Sequence, residues 1–296
     1  GIMSGLRTAS LWIIRVGLFA VPFIPLYVSK SLFFPFITGK AFIFRTIVEV
    51  VFALWLVLVL WYQEYKPAKT PLLYALAIFI AVLVFATVFG ANPARSLWSN
   101  FERMEGLVTY LHLAAYFLVA AHVFSRKDWT VFFNLFVASG FFQNTYGLFQ
   151  KLGVLASPQG VDRIDGTIGN PTYVAAYSLF VLAISLLLLL NSRKGVTRWW
   201  YGFMAAFTLL TIYFTATRGV ILALAVGTAV AAAVYLFWAW KRPGVHQRMR
   251  WVATAGLAFI VLSGVGLKAF PDSELVKSSD ILSRIASISL AEGTTR

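Results

Sequence analysis

Apolar segments of membrane-spanning length recur along almost the whole chain, and they constrain its fold more than any other feature. A helix needs about 20 apolar residues to cross a hydrocarbon core of ~30 Å. About nine such segments are present, at 9–29, 43–62, 71–89, 107–124, 129–149, 172–191, 199–216, 219–240 and 251–268. Because 60% of the residues are hydrophobic and only 12% are charged, a soluble domain could not hide the apolar surface. The sequence predicts an all-α, polytopic membrane helix bundle that forms one transmembrane domain over 1–296.

The charged residues are few and mostly basic, which gives a formal net charge of +14. This excess is typical of Lys and Arg that anchor short loops at the inner face, and some of these cations can also bind an anionic ligand. They form no continuous stripe, so we do not expect nucleic acid as a partner. The chain has no cysteine, which excludes disulfides and thiolate metal sites. No metal-ligand spacing or dinucleotide fingerprint is present either, so no metal or cofactor is expected.

Loop charge and loop length together predict the orientation in the membrane. Lys and Arg total 12 on each side, so the count alone is a tie. One set lies in short loops of a few residues, where the positive-inside rule is strongest. We therefore place the N-terminus in the cytoplasm. The long polar segments then fall on the outer face, at 29–42, 90–106, 150–172, 215–218 and after 268.

A polar, glycine-rich turn at 161–172 separates two of the apolar segments. Arg163 is a candidate ligand-binding cation, although Asp162 and Asp165 offer local partners that would neutralise it. Gly166 and Gly169 allow the backbone to turn and to approach a ligand. Asn170 and Pro171 favour the start of a helix, with Asn170 as its cap, and Asn170 is also a candidate hydrogen-bonding residue.

Arg218 is the strongest single candidate for ligand binding. It lies at the junction of two apolar segments, in Thr215-Ala216-Thr217-Arg218-Gly219. An Arg near bilayer depth costs roughly 2.5–3.5 kcal/mol on insertion scales and should have a partner. One reading is a side chain that extends to the lipid headgroups. The other is anion binding, helped by Thr217 and by backbone N–H groups at the start of the next helix.

Two further groups of polar residues and a single histidine, His112, are candidates for a functional role. The segment 95–106 carries Arg95, Trp98, Arg103 and Glu105, and it is either an interfacial loop with internal ion pairs or a sugar- or phosphate-binding surface. In the fifth apolar segment, one helix face carries the polar and small residues Gly140, Gln143, Gly147 and Gln150, and this face should point into the bundle. His112 is either a hydrogen-bonded packing residue or a proton acceptor.

Several of these segments resemble the O-antigen ligase superfamily. The strongest are Arg163-Ile164-Asp165-Gly166-Thr167-Ile168-Gly169-Asn170-Pro171 and, two spans later, Thr217-Arg218-Gly219. Phe101-Glu102-Arg103-Met104-Glu105-Gly106-Leu107 is similar to the segment before the fourth span of many members. Ser283-Arg284-Ile285-Ala286-Ser287-Ile288-Ser289 is similar to the segment ahead of their large outer loop. The order and membrane placement of these motifs carry the resemblance.

The resemblance implies a glycosyltransferase with a GT-C-like fold in the bacterial inner membrane. Members move a glycan from undecaprenyl pyrophosphate to an acceptor, which is lipid A-core, a protein or a polysaccharide, at the periplasmic or extracellular face. They need no metal. An Arg at the position of Arg218 holds the pyrophosphate together with a second Arg, which Arg296 or Arg284 matches here. The proposed base is a His of the large outer loop.

The family also has about twelve spans, so we expect this chain to be truncated. The segment 269–296 would begin the large outer loop, and the catalytic His would lie beyond Arg296. Two alternatives remain open within the superfamily. One is a polysaccharide polymerase, which differs mainly in its acceptor. The other is a transporter of anions such as bicarbonate, which would use outer-face arginines to recruit its substrate.

Overall fold

The structure is a computed structural model, and it describes residues 2–100, 103–157, 163–193, 195–240, 247–270 and 273–274. Within these ranges the chain forms α-helices and short 3-10 turns and contains no β-strand. This result confirms the all-α class. The α-helices are α1 (Ile2–Ala20), α2 (Thr38–Trp61), α3 (Pro71–Val88), α4 (Pro93–Trp98), α5 (Leu107–Val123), α6 (Arg126–Lys151), α7 (Pro171–Asn191), α8 (Val196–Thr215), α9 (Arg218–Trp240) and α10 (Gln247–Ala269).

Each of the nine predicted spans lies largely within one long helix, but in the described part of the chain six segments are long and apolar enough to cross a membrane. These six are Ser4–Leu26, Thr38–Trp61, Pro71–Val88, Pro171–Asn191, Arg218–Trp240 and Met249–Gly266. Among the other long helices, α5 is only slightly too short, with 17 residues. Helices α6 and α8 have a lower hydropathy because they carry polar side chains such as Gln143, Asn144 and Thr208, which are buried.

The chain divides into two compact units, Gly1–Gln143 and Asn144–Arg296. In the first unit, helices α1, α2 and α5 share an apolar core. Its buried members are Ile14, Leu18, Val51, Trp55, Leu58, Tyr65, Val119, Ala120, Val123 and Phe124. Where these helices lie in lipid, close van der Waals contact between such side chains, and not their removal from water, holds the helices together.

Polar contacts occupy the two ends of the first unit. At one end, Arg7 pairs with Glu64, which follows α2. At the other end, Arg45 is a residue of α2 whose side chain is buried, with 8% of it exposed. Arg45 was not predicted from the sequence to be buried. It donates to the backbone oxygen of Met104 and, at 3.0 Å, to the hydroxyl of Thr109.

The second unit is built on the close packing of α7 against α8, with α9 beside them and α10 packed on α9. Its apolar core is formed by Ala175, Leu182, Ala205, Ile212 and Val220. Between the apolar residues, α6 and α8 also bury polar side chains. The amide of Asn144 donates to the hydroxyl of Thr208 at 2.9 Å, and both side chains are fully buried. An interhelical hydrogen bond of this kind holds helices together where lipid supplies no hydrophobic drive.

Candidate functional site

The candidate site lies at one end of the second unit, where α6 ends, α7 begins, α8 ends and α9 begins. The turn at 163–170 connects these helix ends. It contains a 3-10 turn at Gly166–Ile168, and Gly169 then adopts a left-handed conformation with φ 77°. The side chain of Asn170 accepts from the N–H of Thr172 at 2.9 Å, and Pro171 is the first residue of α7. The predicted helix cap is therefore confirmed.

A buried carboxylate fixes this turn from inside. Asp165 is fully buried and accepts from the amide of Gln150 at 2.6 Å and from the hydroxyl of Ser157 at 2.8 Å. The carbonyl oxygen of the same Gln150 side chain accepts from the backbone N–H of Gly166 at 2.8 Å. Charge-assisted hydrogen bonds to a buried carboxylate are about twice as strong as neutral ones, so this network holds the turn firmly against α6.

The sequence offered Asp165 as one of two acids that could neutralise Arg163, and Asp165 forms no ion pair with it. Among the described residues, the Asp165 carboxylate forms no ion pair, because its oxygens are directed inward to Gln150 and Ser157. Asp162 lies outside the described residues. Sequence reasoning placed Gln150 on the inward face of its helix but did not connect it with Asp165 or Ser157, since the contact depends on how the turn folds back.

Ile164 also holds the turn against α6, through an apolar contact. Its side chain is 1% exposed and lies over Gly147 of α6. A Cβ atom at position 147 would be 3.0 Å from the Cδ1 of Ile164, so only glycine leaves comfortable room for this side chain. The inward orientation of the face that carries Gly140, Gln143, Gly147 and Gln150 is thereby confirmed.

Arg163 points from the turn to the junction between α8 and α9. Its Nε–H donates to the backbone oxygen of Thr215 at 2.6 Å, and its Nη2 donates to the hydroxyl of Thr217 at 3.0 Å. Thr217 is 7% exposed, and its hydroxyl lies 3.4 Å from the backbone oxygen of Pro171. The structure thus brings three predicted site residues together, since Arg163 contacts Thr217 and Asn170 precedes Pro171.

Arg218 follows Thr217 directly and is the first residue of α9. The connection from α8 is very short, and Ala216 adopts a left-handed conformation with φ 48° and ψ 37°. The Arg218 side chain is exposed, and it makes no hydrogen bond or ion pair with another described residue. Because the N-terminus of a helix carries a partial positive charge and unpaired N–H groups, Arg218 and its backbone both favour an anion.

Lys151 adds a third cation to this end of the unit. It is the last residue of α6, and its ammonium group lies 5.7 Å from the ring centre of Phe214, the residue before Thr215. The sequence analysis did not include Lys151 among the site residues. The signal that could have found it is its position at the end of the span whose inward face carries Gln150.

The electrostatics of this end therefore favour a negatively charged ligand. Lys151, Arg163 and Arg218 bring three positive charges against the single carboxylate of Asp165, so the net charge of these described residues is positive. An Arg side chain stays charged at any physiological pH and binds phosphate oxygens through two parallel N–H groups. Within the described part of the chain no group of three or more His, Asp or Glu could hold a metal ion.

The other predicted site residues lie elsewhere. Arg103 is in the first unit, exposed, and its backbone N–H donates to the Asn100 side chain at 3.1 Å. Arg284 and Arg296 lie outside the described residues. His112 is hydrogen-bonded to the backbone oxygen of Val108 at 2.7 Å and to Glu49 at 3.2 Å.

No protein-family model, no curated protein and no solved structure matches this chain.

Proposed function

We propose that this protein is a membrane glycosyltransferase of the O-antigen ligase superfamily. It would move a glycan from undecaprenyl pyrophosphate to an acceptor at the periplasmic or extracellular face of a bacterial inner membrane. The observation that carries the proposal is the contact between Arg163 and Thr217, which joins the two motifs that resemble this superfamily. Arg218 directly follows that contact and is exposed.

In this proposal, the cations at the end of the second unit hold the pyrophosphate of the donor. Arg218 contacts the phosphate oxygens together with the N-terminus of α9. Arg163 is already oriented by Thr215 and Thr217, and it supports the same negative charge from the turn. Positioned donors of this kind are effective because they need little reorganisation when charge develops on a leaving group.

The reaction that fits this arrangement is a displacement at the anomeric carbon of the glycan. The acceptor hydroxyl attacks that carbon, the bond to the pyrophosphate oxygen breaks, and undecaprenyl pyrophosphate leaves with the negative charge. A base removes the proton of the acceptor hydroxyl. In the superfamily, the proposed base is a His of the large outer loop, a segment that lies outside the described residues. The reaction requires no metal.

The proposal includes a topology. The nine long helices would all cross the membrane in a GT-C-like arrangement, with a cytoplasmic N-terminus and with the turn at 163–170 on the outer face. Helices α6 and α8 would cross despite their lower hydropathy because their polar side chains are directed inward. Asn144, Thr208, Thr211 and Thr215 are each at most 3% exposed, which supports this placement.

A transfer assay tests the proposal on the full-length protein in lipid nanodiscs. The substrates are a glycan on undecaprenyl pyrophosphate and a panel of acceptors that contains lipid A-core, a Ser/Thr protein and a polysaccharide. We expect Arg218→Ala to lower the transfer rate by about 10²–10³-fold, the typical effect of removing one charge-stabilising donor. Arg198→Ala is the matched control, because Arg198 is an exposed cation in the first turn of α8, at the opposite end of that helix.

The results separate the alternatives. Full activity in Arg218→Ala, or loss of activity when metal is removed with a chelator, would exclude the ligase assignment. Transfer only to a growing polysaccharide would identify a polymerase. Anion uptake into proteoliposomes without any glycan transfer would identify a transporter.

A further inference from the structure

A cleft lies in the first unit, at the end of α3. It has a volume of about 350 Å³ and is open to the outside. Short helix α4, Ser99 and the segment 103–107 form one side, while Thr87 and Tyr110 lie on the helices that flank it. This volume is at the lower end of the ~300–1,000 Å³ that is typical of sites for small ligands.

The backbone around this cleft is tightly constrained. Ser99 and Met104 both adopt positive φ angles, 64° and 50°, which non-glycine residues rarely do. At Gly106, a Cβ atom would lie 2.3 Å from the backbone oxygen of Leu97, so the segment returns against α4 as closely as a glycine permits. Strained residues of this kind persist where the surrounding structure holds them, and they are concentrated at ligand sites.

The buried Arg45 supports the segment from behind. Its guanidinium donates to the backbone oxygen of Met104 and to Thr109 at the start of α5. The Thr109 hydroxyl also donates to the Met104 oxygen at 3.1 Å. One carbonyl group thus receives two donors, which fixes the positive-φ residue that orients Glu105 and Gly106. The cleft is therefore preformed.

Opposite charges line the cleft without pairing with each other. Arg95 and Glu105 both border it, yet neither side chain forms an ion pair or a hydrogen bond with a described residue. The sequence-based alternative of internal ion pairs is therefore wrong for these two residues. The hydroxyl groups of Ser96 and Ser99 also border the cleft, and in the described part of the chain neither has a hydrogen-bond partner.

This set of groups differs from the cationic end of the second unit. A guanidinium and a carboxylate together carry no net charge, so the cleft does not select an anion. A single carboxylate is also too few ligands for a metal ion. The unpaired groups offer both donors and acceptors, which suits a ligand whose own hydroxyl groups donate and accept at once. Leu83, Ala86 and the ring of Tyr110 supply apolar surface for C–H groups.

We infer that this cleft binds a neutral saccharide. Hydroxyl groups of the sugar donate to the carboxylate of Glu105 and accept from the guanidinium of Arg95. Ser96 and Ser99 bind further hydroxyl groups, and one face of the sugar ring packs against Tyr110. The inference concerns binding only and stands without the transfer reaction, because every residue that it uses belongs to the first unit.

Saturation-transfer NMR on the full-length protein in phosphatidylcholine nanodiscs tests this site. The probes are neutral methyl glycosides of glucose, galactose, N-acetylglucosamine, N-acetylgalactosamine and rhamnose, each titrated to obtain Kd. We expect binding of at least one glycoside, and a Kd about tenfold higher in Glu105→Gln and in Arg95→Gln, since each loses a charge-assisted hydrogen bond. Arg126→Gln is the control, because Arg126 is exposed at the start of α6 and is distant in sequence from the cleft.

Three results would overturn the inference. One is the absence of glycoside binding to the unaltered protein. Another is equal binding in the unaltered protein, Glu105→Gln and Arg95→Gln. The last is tighter binding of phosphoethanolamine than of any glycoside, with this binding lost in both Glu105→Gln and Arg95→Gln. That result would assign the cleft to a zwitterionic lipid headgroup. We expect Arg218→Ala to bind the glycosides as the unaltered protein does, whatever its transfer activity. This binding test can therefore fail or succeed independently of the test of the proposed function.

Discussion

The guanidinium of Arg163 donates to the hydroxyl of Thr217 across 3.0 Å, although the two residues are 54 positions apart in the chain. The contact joins the turn before α7 to the junction before α9. Arg163 cannot move far from this position, because it also donates to the backbone oxygen of Thr215 at 2.6 Å. One arginine of the site is thus held by the protein, while Arg218 extends outward.

Removal of the Thr217 hydroxyl should weaken catalysis more than stability. Thr217→Val deletes the acceptor for Arg163 but leaves the bond to Thr215, so the guanidinium loses its orientation without leaving the site. We expect transfer to fall about tenfold, as for the loss of one hydrogen bond to a charged group. Thr228→Val is the control, since Thr228 bonds only within α9, to Leu224 at 2.7 Å. Equal transfer rates for the two variants would contradict this role.

The Asp165 carboxylate should be important for the stability of the second unit. Asp165→Asn replaces an acceptor oxygen by an NH2 group that faces one of two donors, Gln150 or Ser157. We expect the free energy of unfolding to fall by about 1–3 kcal/mol, the cost of a buried polar group without a partner. Ser157→Ala removes one of the two donors and should cost less. Thermal unfolding in detergent, followed by tryptophan fluorescence, measures both changes. An unfolding midpoint of Asp165→Asn equal to that of the unaltered protein would show that these hydrogen bonds do not stabilise the unit.

The close approach at Gly106 should make this position intolerant of any side chain. Gly106→Ala places a methyl group against the backbone oxygen of Leu97, which cannot rotate away, so we expect a loss of about 1–3 kcal/mol. Gly202→Ala is the matched control, because an added Cβ there would have no atom within 4 Å apart from the neighbouring backbone of α8 itself. Alanine there should stabilise the helix by up to about 1 kcal/mol. Similar unfolding midpoints for the two variants would contradict this geometry.

The hydrogen bond between Asn144 and Thr208 should appear as an energetic coupling between α6 and α8. In a double-mutant cycle with Asn144→Ala and Thr208→Val, we expect an interaction energy of about 0.6 kcal/mol, the mean for such bonds in membrane helices. A second cycle with Asn144→Ala and Thr228→Val should be additive, since Thr228 bonds within its own helix. Additivity in the first cycle would show that the bond contributes nothing to stability.

Local sequence signals predicted the parts of the site that depend on neighbouring residues. The Asn170 cap and Pro171 follow from backbone chemistry within four residues, and the structure has both. The inward face of α6 follows from helical spacing alone. The same spacing could have included Asn144, which is four residues after Gly140 and three before Gly147. Its partner Thr208, 64 positions away, has no local signal.

The contacts made by the charged groups were the least predictable from sequence. Nearby charges suggested pairs of Arg163 with Asp165 and of arginine with glutamate in 95–106. In the structure, Asp165 binds neutral donors, and Arg95 and Glu105 line a cleft without pairing. Sequence proximity is a poor guide here because a turn can direct adjacent side chains to opposite sides. Arg45 is a similar case, since its acceptors Met104 and Thr109 come from a distant segment.

The fixed turn at 163–170 has a kinetic consequence. Asp165 is held by Gln150 and Ser157, and Ile164 fits over Gly147, so the turn at 163–170 is already folded before a ligand arrives. Little conformational entropy is then lost when a ligand binds, because this segment is already ordered. Association should be governed by diffusion of the lipid-linked ligand within the bilayer and by electrostatic attraction, so its rate should fall as ionic strength rises.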